Sequence, residues 1–151
     1  MQITSNVKII KENVKTGEVD IRELHNIACT AGAESLTARL VGAERGQVTY
    51  FAVGTGAVTG GDEPVIGDTA LETELYRKQI SVRSSSGTTA SFRIFFNTSE
   101  ANGSITELGL FGDDASVTTD TGVLFARAAE SITKTDSETL TVDWSLDVDA
   151  T

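Results

Sequence analysis

Apolar and polar residues alternate most strictly near the C-terminus. Leu140, Val142, Trp144, Leu146 and Val148 are separated by Thr141, Asp143, Ser145 and Asp147. Successive side chains of an extended strand point to opposite faces, so this run predicts a strand with one apolar and one polar face. Residues 3–12, rich in Val, Ile and Lys, and residues 19–24 flank Lys15-Thr16-Gly17-Glu18. Two such runs around a glycine turn predict a β-hairpin. Residues 48–53 read as a buried strand. Residues 78–83 alternate Ile80 and Val82 with polar neighbours, and residues 91–97, 105–111 and 123–129 read as further strands. Ser84-Ser85-Ser86-Gly87 and Asn102-Gly103 supply the turns between them.

Two segments change period. Ala33, Leu36 and Leu40 recur at three- and four-residue spacing, the stripe of a short amphipathic helix. Thr30 is placed to cap it and Gly42 to stop it. A second helix is expected at residues 68–72, where Thr69 and Glu72 match a capping box and Asp68 is an alternative cap. The expectation is therefore a mainly β chain of seven or eight strands with two short helices. It is arranged as an antiparallel β-sandwich or one curled sheet, with an N-terminal β-hairpin. The 151 residues make one domain, residues 1–151, in which residues 1–25 could form a docking hairpin or arm that packs elsewhere.

Charge narrows the function. Twelve Lys and Arg against 22 Asp and Glu give a net charge of −10, which phosphates repel, so no nucleic-acid partner is expected. No apolar run reaches the length of a membrane span, and the start lacks the basic and apolar stretches of a secretory leader. One cysteine and one histidine leave no internal disulfide and no Cys-rich zinc site.

The partial motifs are weak. Gly54-Thr55-Gly56 with Gly60-Gly61 follows a strand as phosphate-cradling loops do, but the third glycine falls one position late and no helix opens after it, so a surface loop is the better reading. Ser131-Ile132-Thr133-Lys134 fits S-x-x-K without its companion motifs. His25 and Cys29, four apart, are two ligands where zinc needs more. Asp113, Asp114 and Asp120, and Asp62, Glu63 and Asp68, are oxygen-rich, but neither group follows a calcium-loop pattern and both read as solvated acids. A carboxylate pair for glycoside cleavage is defined by separation in space, and one Trp with two Tyr make a thin sugar platform. No catalytic residue, metal or cofactor is expected.

Several segments in order carry a resemblance. Lys15-Thr16-Gly17-Glu18 precedes His25-Asn26-Ile27, and Thr30-Ala31-Gly32 opens a segment ending Arg39-Leu40. Tyr50-Phe51-Ala52-Val53-Gly54-Thr55-Gly56 comes before Asp68-Thr69-Ala70-Leu71-Glu72-Thr73-Glu74 and Arg77. Ile105-Thr106-Glu107-Leu108-Gly109-Leu110-Phe111, Leu124-Phe125-Ala126-Arg127, and the run from Thr133 to Trp144 follow. From about residue 15 to 148 the chain resembles small virion proteins of tailed bacteriophages, of tail-fibre or baseplate-associated type. The resemblance implies a non-enzymatic structural role in the virion, a homo-oligomer (a trimer), and partners among other virion proteins of the tail, the baseplate or the major capsid protein. Capsid decoration as a cement protein is the nearest alternative, and a carbohydrate-binding receptor module another. Arg77 and Glu107, charges beside apolar strand residues, are the candidate pair, either across an interface or inside the fold. Each needs hydrogen bonds or a partner charge, since an unpaired buried charge is costly. The loop at residues 54–67, poor in bulky side chains, is a segment that could order on assembly.

Overall fold

A computed structural model of the chain describes residues 2–56 and 63–150. The strands are β1 (Gln2–Asn13), β2 (Val19–Ala28), β3 (Val48–Gly54), β4 (Glu74–Gln79), β5 (Val82–Ser86), β6 (Thr89–Phe96), β7 (Gly103–Gly112), β8 (Val123–Lys134) and β9 (Glu138–Asp149). One helix, α1 (Thr30–Leu40), lies between β2 and β3. All strand pairs are antiparallel, in the order β4-β3-β7-β8-β2-β1-β9-β6-β5.

This order folds into two sheets of five strands that share β2. The first part of β2 pairs with β1 (Val19↔Glu12 to Leu24↔Val7), and its last residues pair with β8 (His25↔Ala129 to Ala28↔Ala126). The first sheet is β5-β6-β9-β1-β2 and the second β2-β8-β7-β3-β4. Their inner faces meet through aromatic rings. Phe51 of β3 lies 5.7 Å from Phe96 of β6 and 6.1 Å from Trp144 of β9, and Tyr76 of β4 lies 5.9 Å from Phe96. Tilted and edge-on contacts at these distances are favourable for aromatic pairs, and they close a β-sandwich-like core.

The alternating strand at the C-terminus is β9, with Leu140, Val142, Trp144 and Leu146 buried and Asp143 and Ser145 on the other side. The second sheet is buried on both faces through much of β3, β7 and β8. Phe51 and Val53 of β3 face the first sheet, whereas Ala52 joins Cys29, Leu71, Phe111 and Leu124 in a smaller cluster. Continuous apolar runs in β3, β7 and β8 are what burial on both faces requires.

The number and placement of elements differ from the sequence expectation. There are nine strands and a single helix among the described residues. Residues 68–72 are not helical: the Glu72 and Thr73 N–H groups donate to the Glu107 side chain instead. Helix α1 is where its period placed it, but Thr30 is its first residue, Cys29 holds the cap position without a side-chain bond, and the buried positions are Gly32 and Ser35. Leu40 is 83% exposed. Gly42, at φ +95°, stops the helix as expected. Residues 78–83 form no single strand. The chain turns at Ile80 and Ser81 and passes from the edge of the second sheet to the edge of the first. Asn102-Gly103 likewise ends a crossing between sheets and makes no tight hairpin. The hairpin of β1 and β2 lies in the middle of the strand order, with β1 paired to β9 from Gln2↔Asp149 to Asn13↔Glu138.

Candidate functional site

Charged side chains cluster on the outer face of the second sheet, where α1 and the connecting loops cover it. Glu107 is 1% exposed and fully engaged. Its Oε1 accepts the N–H groups of Gly56 (3.0 Å) and Thr73 (2.8 Å). Its Oε2 accepts the N–H of Glu72 (2.8 Å) and Nη2 of Arg127 (2.7 Å). Arg127 Nη1 donates to Asp68 Oδ2 at 2.9 Å, so one guanidinium joins two carboxylates. Burial pulls the Arg127 pKa down, but both carboxylates outweigh it and hold it above its ordinary value. The glycines make this approach feasible. A Cβ on Gly54 or on Gly56 would stand 2.5 Å from Glu107 Oε1. Gly54-Thr55-Gly56 thus does present a backbone N–H to an anion, and the anion is the chain's own carboxylate. Residues 57–62 of that loop lie outside the described residues.

Arg77 belongs to a second centre and does not meet Glu107. It forms a two-bond ion pair with Glu74 (2.5 and 3.0 Å) and donates Nη1 to the carbonyls of Ser116 and Thr121 and to Thr121 Oγ1. Its guanidinium lies 4.7 Å from the Phe111 ring centre. This fork pins the loop between β7 and β8, while Glu107 pins the segment between β3 and β4. Both charges are held internally.

Asp113, Asp120, Asp68 and Cys29 have structural occupations, and Asp62 lies outside the described residues. Asp113, at φ +57°, accepts the Ser35 hydroxyl (2.8 and 2.7 Å), the Gly46 N–H and Arg45 Nε, tying α1 to the end of β7. Burial raises its pKa, but those donors prevail and hold it below the ordinary value. Asp120 donates its N–H to Glu74, and Asp68 accepts the Val65 N–H as well as Arg127. Cys29 is buried, and burial, then the Asp68 carboxylate, push its thiol up to about 12 against the opposing pull of Arg127. A thiol so placed keeps its proton at neutral pH and is a poor nucleophile. His25 lies on β2, not on a helix, so its backbone stands roughly 13 Å from that of Cys29 along extended chain. No group of three or more His, Cys, Asp or Glu able to hold a metal occurs among the described residues.

Ser131 and Lys134 share β8 but point to opposite faces, as an odd spacing in a strand requires. Lys134 is 1% exposed and donates to Asn97 O (2.8 Å) and Asn102 Oδ1 (2.7 Å), fastening the crossing between β6 and β7. Arg127, Asp68, Glu74 and Lys134 were not singled out as partners in the sequence. Arg127 carried the same signal as Glu107, a charge within an apolar run, whereas Lys134 at a strand end carried none.

The outer face of the first sheet is different. It is an open trough of about 780 Å³ bordered by β5 on one side and β2 on the other. Arg93, Asp143, Lys8 and Glu23 stand in one register row across β6, β9, β1 and β2. Arg93 and Asp143 form a two-bond pair at 2.6 and 2.7 Å. No protein-family model, curated protein or solved structure matches the chain. No helix among the described residues is long and apolar enough to cross a membrane.

Proposed function

We propose that the chain is a non-catalytic structural subunit of a tailed-bacteriophage particle, of tail-fibre or baseplate type, working in the virion as a homo-oligomer in contact with other virion proteins. The particle assignment rests on the ordered sequence resemblance. The observation that supports a building-block role is the fate of the buried charges. Both oxygens of Glu107 are spent on Gly56, Glu72, Thr73 and Arg127, and the Arg77 guanidinium is spent on Glu74 and the loop at residues 116–121. Groups so occupied hold loops in place and have no lone pair or proton to offer a substrate. Three further acids, Glu100, Asp113 and Glu138, are likewise engaged by donors of the same chain.

The test is location on purified particles. Quantitative mass spectrometry of intact virions, with antibody labelling seen by electron microscopy, should find the protein at fixed stoichiometry on the tail or baseplate. Labelling on the capsid would replace this reading with the cement-protein alternative. Absence from particles would end it.

A further inference from the structure

We propose that the outer face of the first sheet is a self-complementary docking surface for a second copy of this chain, related by a two-fold axis that runs parallel to the strands between β9 and β1. This inference rests on the building-block reading and adds the partner and the register. The argument starts from the row Arg93–Asp143–Lys8–Glu23, whose signs run plus, minus, plus, minus across four adjacent strands. An alternating row with an even number of members changes sign on reversal. A two-fold axis through its middle therefore sets Arg93 over the second copy's Glu23 and Asp143 over its Lys8. An odd row, or a row of uniform sign, would oppose like charges.

The neighbouring row obeys the same operation. Phe95, Thr141, Ile10 and Ile21 lie in register across the same four strands. Phe95 is 44% exposed and Ile21 is 59% exposed, although both belong to strands paired within the sheet. Reversal places Phe95 on the second copy's Ile21 and Ile10 on its Thr141. On the other side of the charged row, Ser145 meets Asn6. No two like charges are opposed in these rows. Isologous contacts demand this self-complementarity, and apolar residues flanked by opposed charges give such a contact both burial and register.

Size makes this a small contact, held by its charge register more than by area. Five register rows, Val7 to Lys11 of β1, run through all four strands, and at about 4.8 Å between strands and about 3.4 Å per residue they give a footprint on the order of 300 Å² before side-chain relief is counted. A standard interface buries roughly 800 Å² on each partner. The contact closes as a dimer or sits inside a dihedral assembly; a plain cyclic trimer cannot contain it.

Light scattering of the purified full-length chain tests the surface. The wild-type chain should run at twice the chain mass, or at a higher even multiple in a dihedral assembly, with association weakened by added salt. Glu23→Lys sets a new cation against Arg93 of the second copy, and Arg93→Glu sets a new carboxylate against its Glu23. Each change should weaken self-association by about tenfold or more. Mixing the two variants opposes only unlike charges at all these positions, so the mixture should form a heterodimer while neither variant pairs with itself. Ile21→Ser, an exposed change that should leave the circular-dichroism spectrum unaltered, should also weaken association. A dimer or trimer insensitive to Glu23→Lys and Ile21→Ser overturns this surface and leaves the building-block reading standing. A wild-type chain that stays monomeric at high concentration also overturns the surface, and its absence from particles as well overturns both.

Discussion

Glu107 shows how much of this structure depends on single charged groups. Its carboxylate replaces the hydrogen-bonding partners that Gly56, Glu72 and Thr73 would otherwise find in a helix or in water. Glu107→Gln keeps the shape but puts an amide NH₂ against groups that can only donate, and it leaves Arg127 with a weaker partner. Urea unfolding should show a loss of about 3 kcal/mol, the scale of breaking a buried ion pair from one side. Cys29 gives a prediction with a sign. Its thiol is moved from 9.0 to about 12 in the folded chain. Above pH 9 the unfolded thiol ionises while the folded one keeps its proton, so the unfolded state gains and stability falls as pH rises toward 12. Urea titrations of wild type and Cys29→Ala on either side of pH 9 should diverge, with the wild type losing more. Equal slopes would place the thiol in contact with water.

Helix α1 tests whether packing or propensity governs an element. Ala is a better helix former than Gly by about 1 kcal/mol. At Gly32, however, an added Cβ would stand 2.7 Å from the Phe125 Cα and 2.9 Å from its ring. Gly32→Ala should therefore destabilise, by about 1–3 kcal/mol, because overpacking against a backbone cannot relax cheaply. Leu40→Ala, at a position that periodicity alone assigns to the apolar stripe, should change thermal stability by no more than about 0.5 kcal/mol, since the side chain is exposed. The existence of α1 was legible because four-residue spacing and a terminal glycine are local signals. Its buried face was legible only in part: Leu36 packs on the core as its spacing predicts, whereas Gly32 and Ser35 face the sheet through close approach and the Asp113 bond, neither of which hydrophobicity records. For the same reason residues 68–72 carried a helical capping pattern that lost to a carboxylate 35 positions away.

At the level of the complete chain, the strand order makes the N-terminus indispensable. β1 bridges β2 and β9, and through them the two halves of the sandwich. Deleting residues 2–13 should abolish cooperative unfolding and leave an aggregation-prone product, detected by loss of a sharp thermal transition. An arm that merely docked elsewhere would leave the remaining domain intact. The two terminal strands of the order, β4 and β5, differ in how their edges are handled. β4 carries the buried Arg77–Glu74 pair, whereas every residue of β5 is exposed. An exposed edge strand is open to pairing with another chain, and β5 also forms one wall of the trough.

Period-two runs were enough to establish a mainly β chain, to locate most strands, and to single out β9 as half-buried, because strand periodicity and burial are written in adjacent residues. They also marked Arg77 and Glu107 as charges in need of partners, since an ion inside an apolar run is costly wherever the chain goes. Who those partners are, Glu74 for one and Arg127 for the other, depended on which strands became neighbours. Pairing of β2 with both β1 and β8, the corner at Ile80 and Ser81, and the charge row from Arg93 to Glu23 are contacts between residues far apart in the chain. Such contacts are selected by the whole core at once, and so they emerge only when the sheets close on each other.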